Sequence, residues 1–241
     1  MKVIVEKNYD ELSKRAANIL EKEIRNKPDI VLGLATGSTP IGTYNELIKA
    51  HKEYGLDFSK VKTFNLDEYV GLDGEHLNSY RYFMNEKLFD HININKENTY
   101  IPNGRVKNLD DYCKEYDNDI DRAGGIDIQI LGIGTNGHIA FNEPADRLSV
   151  GTSIVNLTES TIKDNSRFFD SMDEVPKTAI TMGIGSILKA KKIILLASGK
   201  SKAPVMKKLL EENMVTTQLP ASFLLLHPDV TIIVDEDAYS A

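Results

Sequence analysis

Ile30-Val31-Leu32-Gly33-Leu34-Ala35-Thr36-Gly37-Ser38-Thr39-Pro40 joins an almost unbroken apolar run to a small polar loop. A strand with one face in water alternates polar and apolar residues. Six consecutive residues without a charge instead suit a strand buried on both faces, the kind found in parallel sheets layered with helices. Pro28 ends the preceding element. Downstream, residues 41–53 carry Tyr44, Leu47 and Ile48 at helical spacing. Between strand and helix, Gly37 lets the backbone approach a ligand, Ser38 and Thr39 supply hydroxyls, Pro40 suits a first helical turn, and helix-start amides favour an anion. An ordinary capped turn explains the same residues equally well.

Working outward, the same alternation of strand and helix recurs. Residues 3–5 form a short strand, and 9–25 place Leu12, Ala16, Ile19, Leu20 and Ile24 on one helical face, starting at Tyr9 or Asp10. After strand 61–66 come two adjacent acids, Asp67 and Glu68, at a strand's carboxyl end, where open α/β sheets bind ligands. A helix over 78–89 with Tyr82, Phe83, Leu88 and Phe89 inward, a strand at 98–102 and a helix over 109–122 closed by Gly124-Gly125 follow. The β-branched run 126–131 then delivers the loop 132–144, Gly132-Ile133-Gly134-Thr135-Asn136-Gly137-His138-Ile139-Ala140-Phe141-Asn142-Glu143-Pro144. Residues about 145–177 loosen into a polar excursion with Arg147, Lys163 and Arg167, suited to a lid. Regular order resumes with a strand and helix at 178–188, a buried strand at 192–198, the turn Gly199-Lys200-Ser201-Lys202, a helix through Leu210 and a strand at 230–234. The expectation is an α/β fold: a mostly parallel sheet, helices on both faces, a lid over the carboxyl edge, and one catalytic domain spanning 1–241.

Bulk properties narrow the partners. The 241 residues contain no repeat and no interdomain linker, and their net charge of −7 is wrong for a broad basic face that binds nucleic acid. An anionic small molecule needs only a few well-placed cations. Cys113 is the only cysteine, so no intrachain disulfide forms and a reducing compartment is expected. Lys2, Glu6 and Lys7 interrupt the N-terminus too early for a secretory segment, and no apolar run approaches the ~20 residues of a membrane span. The expected location is cytoplasmic, with no membrane partner.

Two motifs mislead. Gly132 to Gly137 satisfies G-x-G-x-x-G after a strand, but no helix follows and Pro144 interrupts, so no nicotinamide cofactor is expected. Gly199-Lys200-Ser201 resembles the end of a Walker A loop, yet Ile194 stands where its first glycine belongs. His76 and His91 are too far apart for a local metal pair, and no metal or other cofactor is expected. No G-x-S-x-G elbow supports a serine nucleophile.

Four loops, 36–40, 67–69, 132–144 and 199–202, all follow strands and in a parallel sheet share one edge. His138, with Asn136 and Glu143 nearby, suits proton transfer, because a carboxylate orients one ring nitrogen while the other exchanges a proton. The stretches LATGSTP at 34–40, FNLDEYVGL at 64–72, GTNGHIAFNEP at 134–144 and NSRFFD at 165–170 resemble the glucosamine-6-phosphate deaminase (isomerase) family over essentially the whole chain. The resemblance implies a Rossmann-like fold and conversion of glucosamine 6-phosphate and water to fructose 6-phosphate and ammonia, in amino-sugar catabolism. By it, Asp67 moves a proton from C2 to C1. His138, held by Glu143 and Asn136, assists ring opening, and Gly37, Ser38, Thr39, Arg167 and Lys202 hold the phosphate.

Some members carry aspartate at the position of Asn136. Allosterically activated ones carry serine, arginine and lysine in the region where this chain has Asp146, Arg147, Ser153 and Val155. A monomer or small homo-oligomer is therefore expected, and neither a hexamer nor activation by N-acetylglucosamine 6-phosphate. The alternatives are a 6-phosphogluconolactonase-like hydrolase, which would not need Asp67 as a carbon base, and a phosphosugar-sensing module, for which no DNA-binding helix is evident.

Overall fold

The computed structural model describes residues 1–166, 169 and 171–240, with the side chains of Ser160 and Asp164 outside the description. In chain order the elements are β1 (Lys2–Glu6), α1 (Tyr9–Asn26), β2 (Val31–Leu34), α2 (Ile41–Tyr54), β3 (Lys62–Asn65), β4 (Asp67–Tyr69), α3 (Tyr80–Lys87), β5 (Thr99–Tyr100), α4 (Leu109–Arg122) and β6 (Ile128–Gly132). They continue with β7 (Ser153–Asn156), α5 (Glu159–Asn165), β8 (Thr178–Thr181), α6 (Ile184–Leu188), β9 (Lys192–Ala197), α7 (Ala203–Glu211), β10 (Val230–Asp235) and α8 (Glu236–Tyr239).

Among the described residues, seven strands form a parallel sheet in the order β1-β10-β9-β6-β2-β3-β5. All four residues of β2 are buried, as are five of six in β9 and β10. Successive side chains point to opposite faces, so burial of every one means both faces are covered, as the apolar run 30–35 requires. From β2 the chain steps outward to β3 and β5. From β6, which lies against β2, it proceeds the other way to β9 and β10. The order reverses between β2 and β6, and loops leaving such neighbours in opposite directions open a crevice at the carboxyl edge.

Helix α1 packs Leu12, Ala16, Leu20 and Ile24 into the core, and each fully buried Leu or Ile contributes roughly 1.5–3 kcal/mol. It starts at Tyr9, one of the two positions expected from the sequence. Asn8 is the cap, with its side-chain oxygen accepting the Glu11 amide at 3.0 Å. Helix α3 is shorter than 78–89, because Ser79 caps it by accepting the Tyr82 amide and the chain leaves helical geometry at Leu88. Leu88 and Phe89 still reach the core from outside the helix, whereas Phe83 is only half-buried and faces the crevice.

The larger departure is a second sheet. Strand β4 turns out of the main sheet and pairs antiparallel with β8, which pairs antiparallel with β7, aligning Asp67 with Thr181 and Ser153 with Thr181. Residues 67–69 are thus a strand, not a loop, and the excursion that begins at 145 is anchored along β7. Asp117 of α4 fixes its base by accepting the Thr152 amide and hydroxyl at 2.8 and 2.6 Å and the Ser186 hydroxyl at 2.8 Å. From this excursion Thr161 and Asn165 of α5, together with Phe169, line the crevice.

Candidate active site

The crevice between β2 and β6 holds a cavity of 320 Å³ lined by Gly37, Ser38, Thr39, Asp67, His138 and Lys202, together with Tyr69, Tyr80, Phe141, Thr161 and Asn165. All four loops singled out from the sequence reach it. Asn136 and Glu143 stand behind His138 rather than on the wall. Arg167 lies outside the described residues.

Gly37 has φ of 91°, a left-handed conformation that lets the 36–39 loop curl over the cavity at no steric cost. Helix α2 starts there with no side-chain cap and no acid in its first turn, which leaves its positive dipole end to a ligand anion. Helix α7 likewise begins uncapped and without an early acid, directly after half-buried Lys202. Two helix starts and Lys202 thus border the cavity.

The adjacent acids part company because neighbouring residues on a strand point to opposite sides. Glu68 turns away from the cavity and accepts three amides, those of Tyr69 at 2.8 Å, Tyr80 at 3.0 Å and Arg81 at 3.0 Å, so it is a buried cap for α3. Burial pushes its carboxyl up to about 6 against those three donors. Asp67 faces the cavity, is 6% exposed, and among the described residues no side chain or amide hydrogen-bonds its carboxylate. Burial, with the charge of Glu68 beside it, pushes Asp67 up to about 8, into the range where a carboxyl exchanges protons at physiological pH.

His138 is set by a glycine and a carboxylate. A Cβ at Gly134 would lie 2.3 Å from the imidazole, so only glycine leaves the ring room to lie against the loop backbone. Nδ1 stands 3.3 Å from Oε2 of Glu143, a close polar contact rather than an aligned hydrogen bond. Asn136 does not touch the ring. Its amide nitrogen donates to Glu143 Oε2 at 2.6 Å and its oxygen accepts the His138 backbone amide at 3.2 Å, so it acts on backbone and carboxylate. Burial opposes the charge of Glu143, but His138, Thr161 and Asn136 outweigh it and hold the carboxyl down to about 2. Next along, Ala140 adopts φ of 51°, uncommon for a residue with a Cβ, while Asn142 ties the loop down by donating to the carbonyls of Ile139 and Met182.

Aromatic residues make up a further part of the cavity lining. Tyr69 packs on Tyr80, Phe141 and Phe169 with ring centroids 4.9, 5.9 and 5.9 Å away, and its hydroxyl accepts from Asn165 of α5 at 2.9 Å. Among the described residues no group of three His, Cys, Asp or Glu is arranged to hold a metal ion, and no helix is long and apolar enough to cross a membrane.

The family model described as glucosamine-6-phosphate isomerases/6-phosphogluconolactonase matches residues 5–233. The chain belongs to this family. Glucosamine-6-phosphate deaminases of Clostridium perfringens (strain SM101 / Type A) and Thermoanaerobacter pseudethanolicus are each 58% identical to it, over 99% and 100% of this chain and 98% and 94% of theirs. A solved monomeric glucosamine-6-phosphate deaminase of the NagB superfamily is 49% identical, with a TM-score of 0.97, covering 100% of this chain and 99% of that one. The 6-phosphogluconolactonase of Thermotoga maritima shares the fold, with a TM-score of 0.74 at 20% identity over 97% of this chain and 98% of its own.

Residues that support the site from a distance escape the motifs of the family. Tyr9, at the start of α1, reaches the 36–39 loop: its hydroxyl lies 3.1 Å from the carbonyls of Ser38 and Thr39 and accepts the Gly42 amide at 2.7 Å. Asp235, buried at the end of β10, accepts the Gly199 amide at 3.0 Å and the Ser198 hydroxyl, and so fixes the turn that presents Lys202. The partners of Tyr9 lie 29 to 33 residues away and those of Asp235 36 to 37 away, so no local pattern announces either role.

Proposed function

We propose that this chain converts glucosamine 6-phosphate and water to fructose 6-phosphate and ammonia. One observation carries the reading: Asp67 and His138, two proton-transfer groups on separate elements, line a single cavity that also takes in the 37–39 loop and Lys202, at the starts of α2 and α7. With a net charge of −7 the chain repels a phosphosugar at long range, so recognition comes from these local contacts, with Arg167 as a further phosphate ligand.

His138, aimed by Glu143, moves a proton from the anomeric hydroxyl to the ring oxygen, which breaks the C1–O5 bond and leaves an open-chain aldehyde. Asp67 then takes the proton from C2, giving an enolamine, and returns it to C1. The resulting C2 iminium adds water and expels ammonia, leaving the ketone of fructose 6-phosphate. Burial holds the Asp67 carboxyl up near 8, and the C2 ammonium of the amino sugar supplies the cation that favours its ionised form. The substrate thereby creates its own base.

The same reading places the enzyme in the cytoplasm, in breakdown of N-acetylglucosamine-derived amino sugar, as a monomer without allosteric activation. Release of ammonia and fructose 6-phosphate in equal amounts from glucosamine 6-phosphate tests the reaction. Hydrolysis of 6-phosphogluconolactone with no ammonia release would overturn it. A single species of about 27 kDa by light scattering, and hyperbolic kinetics unaltered by N-acetylglucosamine 6-phosphate, are the expected outcomes for assembly and regulation.

A further inference from the structure

Glu143 aims His138, and something must aim Glu143. The terminal torsion of a glutamate is broad and roughly two-fold, so the side chain alone does not hold a carboxylate plane in one orientation. Oε2 faces His138 Nδ1 and takes the amide of Asn136, both from the same loop. Oε1 receives nothing from that loop. Its donor is Thr161 of α5, eighteen residues further along and part of the excursion over the cavity. At 9% exposure for Glu143 and 5% for Thr161, bulk water does not substitute for that donor.

The direction of the bond is also set. Thr158 caps α5 by accepting the Thr161 amide at 3.3 Å, and its hydroxyl lies 3.1 Å from that of Thr161 as donor. A hydroxyl has one proton to give, so with Thr158 donating into it, Thr161 gives its own to Glu143. A second tether, Asn165 to the Tyr69 hydroxyl, joins the other end of α5 to the strand that carries Asp67. Helix α5 therefore touches both halves of the site.

We propose that Thr161 is a positioning residue: its hydroxyl, delivered by α5, occupies the oxygen of Glu143 that the histidine loop leaves unserved, so His138 is fully aimed only when α5 is docked. The activity arm of this inference rests on the deaminase reading. The carboxylate and imidazole geometry does not.

The test compares Thr161→Val, which keeps shape and loses the hydroxyl, with Thr161→Ser, which keeps the hydroxyl, both assayed well below their unfolding transitions. In Thr161→Val, kcat for ammonia release falls about tenfold, a fraction of what a general acid–base contributes. KM and the affinity for acyclic 2-amino-2-deoxyglucitol 6-phosphate, which needs no ring opening, stay at the wild-type values. Thr161→Ser recovers most of kcat. In the unliganded protein the His138 imidazole ¹⁵N resonances, assigned with His138→Gln, shift in Thr161→Val and return in Thr161→Ser. Wild-type kcat and unshifted resonances in Thr161→Val, or a serine variant as impaired as the valine one, would overturn the proposal. If the wild-type chain released no ammonia the deaminase reading would fall, and the resonances would still decide the role of Thr161.

Discussion

Asp67 and Glu143 are both buried carboxylates of one site, yet burial and neighbours push one up to about 8 while partners hold the other down to about 2. Desolvation acts upward on both. The difference lies in what meets the oxygens: Glu143 has His138, Asn136 and a threonine from α5, whereas Asp67, among the described residues, has only the charge of Glu68. A carboxylate supplied with donors stays charged and orients a neighbour. One left without them is a proton carrier. Environment assigns the roles, as it does wherever two acids share a site and are pushed apart.

Removing each acid sharpens this contrast. Asp67→Asn is expected to lower kcat by roughly 10³-fold or more, at the strong end for loss of a general base, while phosphosugar binding measured by calorimetry persists. Turnover close to wild type would break the assignment of Asp67 as the carbon base. Glu143→Gln removes the charge beside His138 but leaves Asp67 in place, and its expected loss in kcat is smaller, on the order of 10²-fold.

The stability effects have opposite signs. A group whose folded value lies above the ordinary one costs stability as pH rises, so Asp67 loses the protein stability between its ordinary 3.8 and about 8. Asp67→Asn should therefore be more stable than wild type by at least about 1–2 kcal/mol at pH 8, with the gain gone near pH 4, as read by urea unfolding. Glu143 is held low, so its stabilisation is complete above its ordinary 4.5 and is lost as pH falls toward 2. Glu143→Gln should be the less stable at pH 7, with the difference shrinking in acid. The smallest effect belongs to the brace. Tyr9→Phe removes one hydroxyl from behind the 36–39 loop, a cost of about 1 kcal/mol, expected as a roughly fivefold rise in KM with kcat unchanged.

Much of this site is legible in the chain because its chemistry is local in sequence. Gly37, Ser38 and Thr39 follow a strand with no charge in it, and Gly134, His138 and Glu143 share one loop, so composition and spacing place them together before any fold is known. Asp67 is half legible. Two adjacent acids are visible, but which one faces the ligand depends on the strand pleat and on three amides that claim Glu68, two of them from α3. The second sheet is harder still, since strands of three and four residues carry too short a pattern to reveal that β4 leaves the main sheet for an antiparallel partner more than a hundred residues later.

By itself the sequence determined the layered α/β order, the carboxyl edge as the working edge, and the loops that meet there, because periodicity and turn residues act over a few positions. Tertiary structure alone decided the strand reversal between β2 and β6, the separation of Asp67 from Glu68, the indirect role of Asn136, and the arrival of Tyr9, Thr161 and Asp235 behind the loops. The strand order and the arrival of Tyr9, Thr161 and Asp235 depend on register or hydrogen bonds between segments far apart in the chain, whereas Asn136 and Glu68 bond over 1 to 13 residues, through local geometry that only the folded backbone fixes.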